Sequence, residues 1–271
     1  MKFPMSPLSL FAVVVRQRQL ILQMTRREIT MRYQGSVLGL VWSFFIPVLM
    51  LAVYTFVFSE IFKARWGEGG DSKTQFALIL FSGLLLFNFF AECINRAPSL
   101  ILGNANFVKK VIFPLEILPM VAVGAGLFNL LVSFIVWLLF YFIFFGLPPV
   151  TILLFPVVAL PLVLLTLGLS WFLAALGVFL RDVAQITTVI TTTLMFLTPI
   201  FYPATAIPER YRFLLHLNPL AVVVEQARGA TIFGVGPDAL LLGASYLGSI
   251  VVFWLGLAFF QRTRGAFADV M

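Results

Sequence analysis

The sequence predicts an all-α membrane protein with six transmembrane helices, an N-terminal amphipathic interface helix, and two short re-entrant helices on the outer side before the last span. Three observations predict it. Hydrophobic residues fill 61% of the 271 positions and charged residues only 11%, against roughly a quarter charged in a soluble domain; mean hydropathy is +1.06. Apolar stretches of about 20 residues, the length needed to cross a ~30 Å hydrocarbon core, recur along the chain. Lysines and arginines gather at the ends of those stretches with a strong sidedness. Residues 1–271 read as one transmembrane domain, with nothing left over for a large soluble one.

The first element is a helix over 8–33. One apolar stripe is Leu8, Phe11, Val15, Leu22, Ile29 and Tyr33, interrupted by Arg18 and Arg26; Val13, Leu20, Met24 and Met31 form a second stripe opposite. Such a helix suits the inner leaflet on one side and a protein partner on the other. LSLFAVVV, from Leu8 to Val15, resembles a signal-peptide core. Only Lys2 precedes it, however, and RQRQ follows where a small-residue cleavage site belongs, so it is read as part of the mature chain.

Six spans are expected over 37–62, 76–93, 115–145, 150–180, 186–202 and 240–260. The first is entered through Gly35 and carries Pro47; the third is long enough to tilt or project from the bilayer. The fifth is threonine-rich, with hydroxyls able to bond back to helix carbonyls or across to a neighbour. In the sixth, Gly243 and Gly248 are expected to permit close helix contact. Between the last two spans, residues 203–230 are apolar but broken by prolines. Two short helices fit there, one with Pro208 at its first position and one capped by Asn218 with Pro219 following. Short apolar helices of this kind re-enter the membrane surface, shielded by protein.

With the N-terminus inside, the inner basic residues are Lys2, Arg16, Arg18, Arg26, Arg27, Arg32, Arg96, Lys109, Lys110, Arg181, Arg262 and Arg264. The outer ones are Lys63, Arg65, Lys73, Arg210, Arg212 and Arg228. The inner excess satisfies the positive-inside rule and puts both termini in the cytosol. The net charge of +7 is therefore a topological signal, and no nucleic-acid partner is expected.

Candidate chemistry is sparse. GEGGDSKT, from Gly67 to Thr74, resembles a phosphate-binding loop, but Ser72 stands where glycine must precede the lysine, and the segment is a glycine-rich outer loop. No other nucleotide site is apparent, so ATP hydrolysis is not expected of this chain. Cys93 is unpaired within an apolar segment and reads as a core residue. His216, the only histidine, lacks nearby partners for a metal or catalytic role and reads as structural. Glu60, Glu92, Glu116 and Asp182 map near span ends, which argues against a midplane proton relay. No catalytic residue and no metal site are expected. Aromatic residues make up 15% of the chain; Trp42, Phe45, Tyr54 and Tyr202 are candidates to stack on sugar rings.

Four stretches carry a specific resemblance: RREITMRYQGSVLGLVWSFFIP from Arg26 to Pro47, NANFVKKVIFPLEILP from Asn104 to Pro119, GVFLRDVAQI from Gly177 to Ile186, and TPIFYP with IPERYRFLLHLNPLAVVVEQAR from Thr198 to Arg228. In this order they resemble the membrane subunit of ABC-2 type polysaccharide exporters, the group handling O-antigen, capsule and teichoic acid chains. The resemblance implies a homodimer in the bacterial cytoplasmic (inner) membrane, two separate ABC ATPase subunits that bind ATP and Mg, and a lipid-pyrophosphate-linked polysaccharide passing between the subunits. It implies ATPase coupling through Arg26, Arg27, Glu28, Asn106, Lys109, Lys110, Arg181 and Asp182. Arg32 and Tyr33 join the four aromatic candidates in lining the substrate channel. Pro208, Tyr211, Asn218, Pro219, Glu225 and Arg228 form an outer gate. Arg26, Arg27 and Arg32 would attract a pyrophosphate headgroup, and would anchor on anionic membrane lipids equally well. Two other readings are an ABC-2 permease for a drug or small lipid, and a membrane-embedded acyl or glycosyl transferase. The transferase needs an intramembrane His or Asp, for which His216 is the available residue.

Overall fold

The computed structural model describes residues 7–61, 73–108 and 113–270, and every regular element among them is helical. In chain order these are α1 (Pro7–Arg32), α2 (Val41–Thr55, prolonged by a π turn over Phe56–Ile61), α3 (Lys73–Arg96) and α4 (Ala105–Val108). Next come α5 (Ile117–Phe145), α6 (Phe155–Phe179), α7 (Val183–Leu197), α8 (Phe213–Leu217), α9 (Pro219–Arg228), α10 (Ala239–Thr263) and α11 (Phe267–Val270). The GEGGDSKT loop lies almost wholly outside the described residues, as do Lys109 and Lys110 and the side chains of Glu60 and His216.

Five helices among the described residues are long and apolar enough to cross a membrane: Val41–Phe58, Thr74–Ser99, Ile117–Phe145, Val150–Phe179 and Ala239–Val270. The expected fifth span is shorter than its sequence suggested. α7 has 15 residues, about 22 Å at 1.5 Å per residue, and so falls short of the hydrocarbon core by itself. It stops at Thr198, whose extended backbone precedes Pro199, a residue without an N–H to continue the ladder. The first span also starts late. Tyr33–Leu40 form successive turns, with Gly35 and Gly39 at φ 84° and 52°, conformations that a Cβ disfavours. α2 then begins at Val41, not at Val37, and runs through Pro47 without breaking.

α3 is the centre of the bundle. Within Thr74–Ser99, 83% of the most apolar window is buried, against 6% for Val41–Phe58. A helix apolar all round belongs in such a position. Phe76, Leu80, Leu84, Phe87 and Phe90 meet Val123 and Leu130 of α5, Leu162 of α6 and Val224 of α9 in one cluster. A second cluster joins Ile101, Leu118, Trp171, Leu257, Phe260 and Phe267, tying the ends of α3, α5, α6 and α10 to the C-terminal turn. Two buried indoles fix these layers through their N–H groups: Trp137 donates to the carbonyl of Leu78 (2.9 Å) and Trp171 to that of Glu116 (3.0 Å).

The close helix contact is not where the sequence suggested. A Cβ on Gly243 or Gly248 meets nothing within 4 Å, whereas one on Gly256 falls 1.9 Å from the carbonyl oxygen of Gly168. α6 and α10 therefore cross backbone to backbone at a glycine pair. The threonines of α7 behave as expected. Thr187, Thr188, Thr192 and Thr193 donate to carbonyls one turn back, and Thr191 reaches Asn95 Oδ1 of α3 at 2.9 Å.

α1 lies along α5, with Thr25 against Gly124. The side chains of Leu8, Phe11 and Val13 lie outside the described residues, and from Val15 onward the packed side is neither of the two expected stripes alone. Gln17, Leu20, Ile21, Met24, Thr25, Glu28 and Ile29 are half-buried, whereas Val15, Leu22 and Met31 are exposed. The 3.6-residue period puts Leu20, Met24 and Glu28 on one line, and that line follows α5.

Candidate functional site

Where α1 turns into α2, a cavity of about 520 Å³ opens between these helices, α3 and α5. Tyr33, Ser36, Trp42, Ser43, Asn88 and Ser133 line it together with Arg32, Glu92 and Asn129. The walls are thus hydroxyl, amide and aromatic groups around one charged cluster. Arg32 Nη2 donates to Glu92 Oε1 at 2.5 Å, and Asn129 Nδ2 donates to both oxygens of that carboxylate at 3.1 and 2.9 Å. Burial by itself would lower the pKa of Arg32. The hydrogen bond and the charge of Glu92 outweigh it, with Tyr33 and Glu28 adding to them, and hold the guanidinium above its ordinary value. One turn back, Arg96 of α3 pairs with Glu28 of α1.

Arg32, Tyr33 and Trp42, three of the channel candidates, therefore line one cavity. Phe45 stands edge-on to Trp42, with ring centroids 5.6 Å apart, and is itself exposed outside the cavity. Two other aromatic candidates do not join the site. Tyr54 packs against the central core cluster, and the Tyr202 hydroxyl donates to the carbonyl of Phe196 at 2.8 Å. The second fact has a simple cause: residues 198–203 leave α7 in irregular backbone, so Tyr202 folds back over the end of its own helix.

The suggested coupling residues divide. Arg26 and Arg27 are exposed on α1, in a shallow surface groove with Gln23, Thr30 and Gln34. Glu28 faces the other way, into the pair with Arg96, with its side chain about a third exposed. Asn106 is exposed on α4, and Arg181 and Asp182 are exposed in the turn between α6 and α7. The end of α6 runs beside the Ala97–Ser99 turn, because Gly177 lets the carbonyl of Pro98 approach where a Cβ would stand at 2.1 Å.

At the opposite end of the bundle, Pro208 precedes a single 3-10 turn, Glu209–Tyr211, and α8 follows. Tyr211 is exposed, with the Arg210 guanidinium 4.6 Å from its ring centroid. Asn218 caps α9 as expected. Its side-chain oxygen accepts from Leu220 N at 3.1 Å, Pro219 fills the first position, and its amide donates to Thr198 Oγ1 at 3.0 Å. Arg228, counted by sequence among the outer basic residues, is only 1% exposed. Its guanidinium donates to the carbonyls of Ile79 (3.2 Å), Pro199 and Ile200 (2.9 Å) and to Glu225 Oε1 (2.7 Å). Gly83 makes room for it, since a Cβ there would stand 2.7 Å from Nη2.

Sequence reasoning missed Glu92, Arg96 and Asn129 as site residues, and missed the pair of Glu116 with Arg264 at 2.5 Å. A signal existed for the first two. Glu92-Arg96 repeats the four-residue spacing of Glu28-Arg32, and such pairs face one way on a helix. Asn129 gave no sign, because a single amide in an apolar run has no period.

The ABC-2 type transporter family model matches residues 19–232. The chain is 30% identical over 254 residues to the O-antigen export system permease protein RfbA of Myxococcus xanthus, covering 93% of this chain and 95% of that one. It is 26% identical to the protein of the same name from Klebsiella pneumoniae with the same coverage. It is 24% identical to the polysialic acid transport protein KpsM of Escherichia coli over 239 residues, 88% of this chain and 90% of that one. A model match over most of the length, and a relative aligned nearly end to end on an all-helical bundle with its polar cavity between α1, α2, α3 and α5, lead to one conclusion: the chain belongs to the ABC-2 type transporter family.

Proposed function

We propose that this chain is the membrane permease of an exporter for a lipid-pyrophosphate-linked polysaccharide of the O-antigen kind, working as a homodimer in the bacterial cytoplasmic membrane. Two separate ATPase subunits would bind ATP and Mg and drive it; the permease itself carries out no chemistry. The observation that carries the reading is the cavity at the α1–α2 junction. Its hydroxyl, amide and aromatic lining suits sugar rings, and its arginine suits phosphate.

Further features support the same arrangement. α7, with the segment up to Tyr202, would complete six spans, and α8 and α9 would re-enter from the outer side as the gate. The Arg264–Glu116 pair draws the C-terminal end to the start of α5, along which α1 also lies; this agrees with both termini facing the cytosol. Arg26, Arg27, Asn106, Lys109, Lys110, Arg181 and Asp182 would meet the ATPase.

The test is reconstitution of surface polysaccharide in a permease-deleted bacterium, with and without the ATPase encoded beside this chain. Surface glycan only when both are present is expected, together with co-purification of the two subunits. Activity of the chain alone, a sugar-modifying partner, or transport of a small lipid or drug in place of glycan would overturn the proposal. Charge reversal at Lys109 and Lys110 should weaken ATPase association while leaving membrane insertion intact, and unchanged association would remove that segment from coupling.

A further inference from the structure

Glu28 and Arg32 stand one turn apart on α1, and Glu92 and Arg96 stand one turn apart on α3. Each set is acid-then-base at four-residue spacing, the arrangement that favours pairing within one helix. The fold makes the hydrogen bonds run between helices instead. α1 and α3 meet with Arg32 on Glu92 and Arg96 on Glu28, so two crossed ion pairs join them.

Three properties set this cluster apart. Arg32 and Glu92 line the 520 Å³ cavity themselves, so a guest settling beside Trp42 meets the pair directly. The four charges cancel, leaving Ser36, Ser43, Asn88, Asn129 and Ser133 as a neutral polar lining. All four side chains are about a third exposed, between 28% and 34%, whereas Glu116 and Arg264, which also pair, are 8% and 14% exposed. Ion pairs in contact with solvent are weakly held, and guanidinium groups bind phosphate through the same fork that binds carboxylate.

We propose that the crossed pairs are a latch between α1 and α3 that a diphosphate headgroup opens by exchange. Its two phosphates take Arg32 and Arg96, and the carboxylates of Glu92 and Glu28 are released. α1 is then no longer tied to α3, is held by its packing along α5, and can shift with whatever docks on its exposed Arg26–Arg27 face. The proposal rests on the export reading above and adds to it an internal competitor: the protein's own carboxylates occupy the phosphate site until substrate arrives.

The experiment uses the full chain in phosphatidylcholine nanodiscs, with a polyprenyl diphosphate and inorganic pyrophosphate as separate probes. Exchange requires that removing the competitor tightens binding. Glu92→Gln, which still accepts from Asn129, should bind the lipid diphosphate about tenfold more tightly than wild type, roughly 1.4 kcal/mol. Arg32→Gln and Arg96→Gln should weaken it at least tenfold. Adding the lipid should also speed hydrogen exchange in α1 of the wild type, and leave α1 of Glu28→Gln/Glu92→Gln, already unlatched, unchanged. Equal or weaker binding by a well-folded Glu92→Gln, judged by size exclusion and helicity, overturns the latch. Tightening seen with inorganic pyrophosphate but not with the lipid overturns the headgroup assignment. Neither result touches the export reading, which stands or falls on surface glycan in the deleted strain.

Discussion

Replacing Gly256 by alanine tests the packing of this bundle at its tightest point. The new Cβ would lie 1.9 Å from the carbonyl oxygen of Gly168 and 2.7 Å from its carbonyl carbon. Ordinary van der Waals contact begins near 3.4 Å, so α6 and α10 must separate locally by about 1.5 Å. No rotamer relieves this, because the obstacle is backbone. Overpacking typically costs 1–3 kcal/mol, and a backbone obstacle belongs at the upper end. About 3 kcal/mol corresponds to a fall of roughly 6–10 °C in Tm for a domain of this size. The assay is thermal unfolding of the purified protein in detergent, followed by size exclusion or intrinsic fluorescence. Gly243→Ala and Gly248→Ala on the same helix are the controls, since nothing lies within 4 Å of a Cβ there; both should keep the wild-type Tm or rise slightly through better helix propensity. A Gly256→Ala protein within 1 °C of wild type, or a larger loss at Gly248, would refute the reasoning.

Three further outcomes follow from the polar contacts. Arg228→Met leaves the carbonyls of Pro199 and Ile200 without their guanidinium donor; destabilisation of about 3–5 kcal/mol is expected, measured by chemical unfolding in micelles. Most of that loss is the orphaned carbonyls, because Glu225 is 39% exposed and its share is screened; Glu225→Gln should therefore cost far less. Asn218→Ala removes both the cap on Leu220 N and the bond to Thr198, for about 1–2 kcal/mol, and Asn218→Asp should recover the cap but not the second bond. Glu116→Gln weakens the buried hold on Arg264, so limited trypsin digestion should cut after Arg264 faster than in wild type while cutting at the exposed Arg181 and Arg210 keeps its wild-type rate.

Much of the fold was legible because membranes leave few choices. Backbone groups in hydrocarbon must be satisfied within a helix, so long apolar runs became helices close to where the sequence placed them. α3, α5, α6 and α10 match their expected spans closely, and Asn218 with Pro219 marks the start of α9 through local geometry alone. Where the reading missed, the missing information was lateral. Gly243 and Gly248 looked like contact glycines because the residue type shows where close approach is permitted. It does not show which face another helix covers.

The candidate site divides along the same line. The sequence by itself determined a helical membrane protein and the caps and breaks of its short helices, since these depend on period, composition and local geometry. The tertiary structure decided which charges are partners. Arg228 passed as a surface cation until Gly83 and the carbonyls after α7 proved to enclose it, and Glu92, Arg96 and Asn129 entered the site only when α1 was laid across α3 and α5. The physical reason is range. Helix formation is settled within a few residues, whereas a salt bridge between positions 60 or more residues apart exists only once packing has brought two helices to one distance and one rotation.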